Sequence, residues 1–269
     1  MSHGRDHRVE SWNQLQDELF AEAWNPDLGR FRSRFAFRGL SDARYQLATT
    51  LMRLGGDSMT LEPHLLRNFK KYAHRSVVEG DSFWHWLSVA QHYGLPTRLL
   101  DWTYSPYIAL HFATANIERF NCDGAIWAVN YLKAHELLPL PLRQRLEEEG
   151  ANVFTVEMLS ETLRSLQALR HIRDKTVIFF EPPSIDDRIV NQYALFSVMS
   201  GVDQSMERWL QSHPELWRRI IIPAELKWEV RDKLDQANIT ERVLFPGLDG
   251  LSHWLKRHYS PKTRSGNGG

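Results

Sequence analysis

The segment 82–103, SFWHWLSVAQHYGLPTRLLDWT, sets Gln91, His92, Thr97, Arg98 and Asp101 among aromatic residues and fixes the backbone between them with Gly94 and Pro96. Ser82 predicts a helix N-cap. At about 100° per residue, Phe83, Trp86, Leu87, Ala90 and Tyr93 fall on one buried side, with His92 roughly opposite and Gln91 on a flank. Gly94 suits the left-handed position that ends a helix, and Pro96 holds Leu95 extended. The residues LPTRLLDW then read as a loop carrying Thr97, Arg98 and Asp101 along a ligand wall. Ser105 followed by Pro106 is a helix start, and the segment from there to about Arg119 is apolar almost all round, which predicts a central, buried helix.

Upstream, Ser11 caps a helix to about Trp24. RFAFRG reads as a strand with Phe35 and Phe37 on one face, Arg34, Ala36 and Arg38 on the other, and Gly39 breaking it. Residues 61–75 predict a basic amphipathic helix, with Leu65, Leu66, Phe69 and Tyr72 inward and Arg67, Lys70, Lys71 and Arg75 outward. That face is either a phosphate-contacting surface or a solvated one. Downstream, GAIWAVN (124–130), KTVIFFE (175–181) and WRRIII (217–222) read as strands, and RIVNQYALFSV (188–198) as a bent strand or strand pair. Helices fall over 142–149, 156–170, 224–237 and from Leu248 onward. Alternating short strands and helices, with no internal repeat and no long linker, predict one α+β domain.

The 269 residues carry 33 basic and 33 acidic side chains, so no net field steers the chain toward nucleic acid or membranes, although local basic patches remain open. One cysteine, Cys122, excludes an intrachain disulfide framework and fits a reducing compartment. No apolar run approaches the ~18 residues of a membrane span. A cytoplasmic protein without membrane contact is the expectation. The twelve histidines form no HxxxH pair beside carboxylates, so no metal site is expected. Neither a Walker loop, GxGxxG nor GxSxG occurs. What remains is a polar set rich in hydrogen-bonding groups: Arg38, Gln91, His92, Thr97, Arg98, Asp101 and Gln192. An Arg98–Asp101 pair that merely holds the loop is the structural alternative.

FRG at 37–39, AQHYGLPTRLLDWTYSPYIALHFA at 90–113, RIVNQYALFSV at 188–198 and ITERVLFPGLDGL at 239–251 resemble the successive motifs of the FRG domain family. More distantly, their order resembles the ADP-ribosyltransferase fold. That resemblance implies a split antiparallel β-sheet core with surrounding helices. It divides the chain into an N-terminal helix (1–30), an FRG domain (31–258) and a disordered basic tail (259–269). In those enzymes an Arg-Gly strand holds the phosphate and ribose of NAD, a second strand carries Ser or Thr, and a third carries a catalytic Glu. Arg38 with Gly39 matches the first motif, and Thr97 stands for the second. Gln192 lies where the Glu is expected, which is a departure.

The resemblance implies NAD as substrate, with Arg38, Gly39, Gln91, Thr97 and Arg98 binding it and Arg38, His92, Asp101 and Gln192 in catalysis. A carboxylate faces the oxocarbenium-like state of glycosidic cleavage in such chemistry. Asp101 or Glu181 can substitute for the missing Glu, and His92 can take a proton from the acceptor. The implied role is a toxin or defence effector that transfers ADP-ribose to a nucleic acid or protein, held in check by an antitoxin protein. A non-catalytic nucleotide- or nucleic-acid-binding sensor is the other reading.

Overall fold

Phe35, Ala36 and Phe37 are all buried, so the strand that carries Arg38 is covered on both faces. It is one of eight strands in a single sheet of a computed structural model, which describes residues 6–73, 81–172 and 175–260. In chain order, the strands are β1 (Asp6–Arg8), β2 (Trp24–Asn25), β3 (Arg30–Phe31), β4 (Phe35–Leu40), β5 (Leu99–Thr103), β6 (Gly124–Asn130), β7 (Phe154–Thr155), β8 (Val177–Glu181), β9 (Ala194–Met199) and β10 (Trp217–Ile222). The main sheet runs β1-β10-β6-β4-β5-β9-β8-β7, and β2-β3 forms a separate hairpin. Only the edge pairs β1–β10 and β7–β8 are parallel. The architecture is α+β with a mostly antiparallel sheet.

The sheet is uneven. β4 pairs with β6 over six residues and β5 with β9 over five, yet β4 meets β5 through the single pair Phe37↔Thr103. Side-chain alternation distributes the core accordingly. One face, with Ala36, Trp102, Trp127, Phe179 and Leu195, is buried as one continuous cluster across both halves. On the other face the covering is divided. Phe35, Phe37, Ile126 and Ile220 pack with Leu15, Leu19 and Ala109, whereas Leu99, Ile178, Phe180 and Phe196 pack with Trp84, Leu87 and Leu159. The boundary falls where β4 and β5 part.

Local signals account for much of this. Ser11, Ser82 and Ser105 accept from the backbone N–H groups of Gln14, His85 and Ile108, starting the helices Trp12–Phe20, Phe83–His92 and Pro106–Thr114. Gly94 has φ 81° and terminates the second of these. The sequence pattern ends the Arg38 strand at Gly39, but the structure continues it to Leu40. The glycine serves a crossing instead: a Cβ there would stand 1.8 Å from the carbonyl oxygen of Ala109.

Five other expectations are corrected. Residues 99–103 form β5 rather than loop, because their backbone pairs with β9 about ninety-five residues away. Residues 188–198 are neither a bent strand nor a strand pair: Asp186 caps a short helix, Asp187–Asn191, and Tyr193 turns at φ 48° into β9. The 156–170 helix divides into Val156–Thr162 and Leu166–Arg170, the second capped by Ser165. The Phe83–His92 helix is buried on more sides than its periodicity implies, taking in Trp84, His85 and Val89, whereas Tyr93 is exposed. The basic helix spans Ser58–Ala73, with Tyr72 exposed rather than inward. Arg75 and the tail beyond Ser260 lie outside the described residues.

Candidate functional site

Where β4 and β5 part, a cavity of about 230 Å³ opens. Arg38 and Gly39 reach it from β4, Asp101 from β5, Gln91 and His92 from the last turn of the Phe83–His92 helix, and Gln192 from the end of the Asp187–Asn191 helix. Six of the eight site residues named from the sequence therefore meet at one place.

Their geometry forms a chain. Arg38 donates through Nη1 to the backbone carbonyl of Asp101 (2.5 Å) and lies 3.8 Å from its carboxylate. The guanidinium thus bridges the gap where the ladder hydrogen bonds stop. Its Nε is buried and has no partner among the described residues. Burial lowers the Arg38 pKa and Asp101 opposes that shift; the group stays charged at neutral pH because arginine starts so high. The Gln91 amide donates to both carboxylate oxygens of Asp101, each at 2.9 Å. The Gln91 carbonyl in turn accepts from the Thr97 hydroxyl (2.5 Å), and that hydroxyl accepts from Leu99 N. Thr97 so fixes which way the Gln91 amide faces, and Gln91 fixes Asp101.

Thr97 and Arg98 correct the sequence reading. Neither lines the cavity. Thr97 is buried and acts through Gln91. Arg98 pairs with Glu62 rather than Asp101: its Nε donates to Glu62 Oε1 (2.5 Å) and its Nη2 to Oε2, with both side chains 2% exposed. Gln192 is the C-cap of a short helix rather than a strand residue. Its side-chain amide donates to Leu244 O (2.9 Å), and its backbone carbonyl accepts from the Thr103 hydroxyl (2.8 Å). Glu181 accepts from the Tyr104 hydroxyl (2.9 Å) and does not line the cavity. Burial, and next Glu181, push the Tyr104 pKa up. Asp101 is left as the carboxylate of the polar set that faces the opening.

Two residues escaped the sequence reading. Asp186 holds His92 Nε2 at 2.7 Å, and Arg188 adds a second guanidinium to the wall, stacked 5.0 Å over Phe245. The signal was present. Asp186 begins a capped turn, and once residues 187–191 are helical, Arg188 and Gln192 stand four apart on one face. Phe112, from the Pro106–Thr114 helix, supplies an apolar wall. The cavity therefore offers two guanidinium groups, one carboxylate, two amides and an imidazole beside aromatic surface. Such a set holds donors suited to an anionic group and both donors and acceptors suited to hydroxyls. Among the described residues, no cluster of three His, Cys, Asp or Glu side chains could hold a metal ion, and no helix is long and apolar enough to cross a membrane.

An α+β sheet opened at its centre around this polar set is the frame in which the family relationship fits. Residues 33–122 match the family model of the FRG domain, a span holding Arg38, Gln91, His92, Asp101 and the Pro106–Thr114 helix. The segments 188–198 and 239–251 lie outside that match. No curated protein and no solved structure matches the chain.

Proposed function

We propose that this chain is an NAD-dependent ADP-ribosyltransferase whose reaction centre is the cavity between β4 and β5. The observation that carries the reading is the convergence of Arg38, Asp101 and Gln192 there, although they stand far apart in sequence. In this scheme the bond from ribose C1′ to the nicotinamide nitrogen breaks, and its electron pair leaves with nicotinamide as the neutral base. The Asp101 carboxylate faces the oxocarbenium-like centre. Arg38 and Arg188 take the diphosphate, and Gln192 hydrogen-bonds a ribose hydroxyl. A lone pair of the acceptor forms the new bond to C1′, and the acceptor's proton passes to His92, which Asp186 orients. The acceptor is a nucleic acid or a protein. A toxin or defence role, with an antitoxin partner and a cytoplasmic site of action, belongs to the same reading.

The test is nicotinamide release and label transfer from NAD labelled on either side of the glycosidic bond, with RNA, DNA and lysate protein as acceptors. Asp101→Asn is expected to slow release about a hundredfold or more, the scale of losing one transition-state electrostatic contact. Absence of both release and transfer under every condition overturns the proposal. One observation favours a second reading, a nucleotide-binding module without turnover: both Asp101 oxygens already accept from Gln91, and Gln192 carries no charge. Calorimetric NAD binding that depends on Arg38, with no nicotinamide released, selects it.

A further inference from the structure

Residues 24–34 form an arm that precedes β4 in the chain. β2 and β3 pair as an antiparallel hairpin outside the main sheet. Asn25 Oδ1 closes its turn by accepting from Asp27 N (3.0 Å) and Leu28 N (3.2 Å). Trp24 and Phe31 are direct cross-strand partners with ring centroids 5.2 Å apart. They remain 54% and 61% exposed, beside Leu28 at 59%. Single exposed apolar residues need no explanation, whereas a contiguous exposed aromatic patch marks a contact surface.

Arg30, Arg32 and Arg34 accompany these rings at two-residue spacing, all exposed. Among the described residues none of the three stands within ion-pair distance of a carboxylate; Arg32 donates only to the Phe31 carbonyl (3.0 Å). The chain then runs into β4, placing Arg34 within about 13 Å of Arg38 along an extended backbone. The Ser58–Ala73 helix differs. There Lys70 pairs with Asp81, Arg67 meets His64 (3.0 Å), and Lys71 lies over Tyr72.

We propose that the arm is a docking surface for single-stranded nucleic acid, with phosphates on the three arginines and unpaired bases on Trp24 and Phe31. Charge complementarity selects this occupant. A neutral apolar partner would bury three guanidinium groups without counter-charge, while phosphates neutralise them and release counterions. The aromatic pair selects the single strand, because a duplex keeps its base faces stacked inside. Binding is independent of the transfer chemistry. That the bound strand is the acceptor, led by the arm toward Arg38, rests on the transferase reading.

Fluorescence anisotropy of a labelled twelve-nucleotide oligouridylate, with the full chain and no NAD, tests this. Trp24→Ala with Phe31→Ala is expected to weaken binding about tenfold or more, with the melting temperature unchanged. The triple variant Arg30→Ala, Arg32→Ala, Arg34→Ala is expected to flatten the log–log salt slope by about 2, at ~0.7 per phosphate. A duplex of the same length should be insensitive to the aromatic change. The arm variants are expected to leave nicotinamide release from NAD alone unchanged.

The docking surface is overturned if the oligonucleotide does not bind at about 100 µM, the weak end of non-specific affinity. It is equally overturned if the arginine variant binds as wild type does, or if the aromatic variant dissociates a dimer seen by light scattering, which would make a second copy the occupant. Binding without NAD turnover keeps the docking surface and removes the transferase. Transfer to protein without oligonucleotide binding does the reverse.

Discussion

Arg98 and Asp101 stand three residues apart, and each belongs to an arginine–carboxylate contact built for a different end. The Arg98–Glu62 pair is bidentate with both side chains 2% exposed, and Arg170 adds a further contact to Glu62 at 3.6 Å. The Arg38–Asp101 contact is loose at 3.8 Å, with Asp101 57% exposed and Arg38 Nε unpartnered. A buried pair that satisfies its members has no capacity left for a ligand, and breaking it strands a charge in low dielectric. An open pair keeps its charges separated and its hydrogen-bonding valences available. Having Arg98 and Asp101 in one motif does not give them one role; the difference lies in how completely the surroundings satisfy each.

The largest expected effect tests the closed side. Arg98→Ala leaves Glu62 buried without its bidentate partner and is expected to lower stability by about 3–5 kcal/mol, measured by urea unfolding. The double change Arg98→Met with Glu62→Leu should recover most of that loss. If Arg98→Ala unfolds no more easily than wild type, the closed pair is not structural and the contrast fails.

Acid provides the next test. Burial lowers the pKa of His111 to about 3 and of His135 to about 4, so both are neutral when folded at pH 5–7. The unfolded chain binds a proton on each near 6.5. Their contribution is therefore present above pH 6.5 and lost as pH falls toward the folded values. From pH 7 to 5 the loss is about 2 kcal/mol per histidine. His135 accepts from Phe179 N (3.0 Å) and faces Asn152 O (3.1 Å), so His135→Gln should remove about half of the acid sensitivity. Equal acid sensitivity in the variant would contradict this.

Thr97→Val probes the link between the two regions. Losing the hydroxyl that holds Gln91 is expected to lower stability by about 1 kcal/mol. It should also weaken NAD binding, because the Gln91 amide no longer has a fixed face toward Asp101. The smallest stability change is expected for Arg38→Ala, under about 1 kcal/mol, since the loss of its bond to the Asp101 carbonyl is offset by relief of a half-satisfied buried guanidinium. Ligand binding should fail all the same. Should Arg38→Ala melt as readily as Arg98→Ala, both arginines are structural and the contrast collapses.

Much of the site was legible because its signals are local. The Ser82, Ser105 and Gly94 boundaries follow from hydrogen bonds and backbone torsions within a few residues, and the Phe35/Phe37 alternation marks β4 without knowledge of its partner. β5 was not legible: Leu99–Thr103 has no clean alternation, and its strand character comes from β9. Arg98 was misread for the same reason, since Glu62 is remote and Asp101 is near. The short helix before β9 carried its cap at Asp186, but the β-branched and aromatic residues after it outweighed that signal.

The sequence by itself determined many of the segment boundaries, the burial of the strands and most of the polar residues that line the cavity. Those properties depend on side-chain chemistry and short-range torsions, which a linear chain already contains. Only the tertiary structure decided that β4 and β5 meet through one pair and then part, that Arg38 spans the gap, and that Arg98 turns inward to Glu62. Those outcomes depend on which distant segments come to share a sheet edge. Pairing energies between such segments act only once the chain has closed the loops between them.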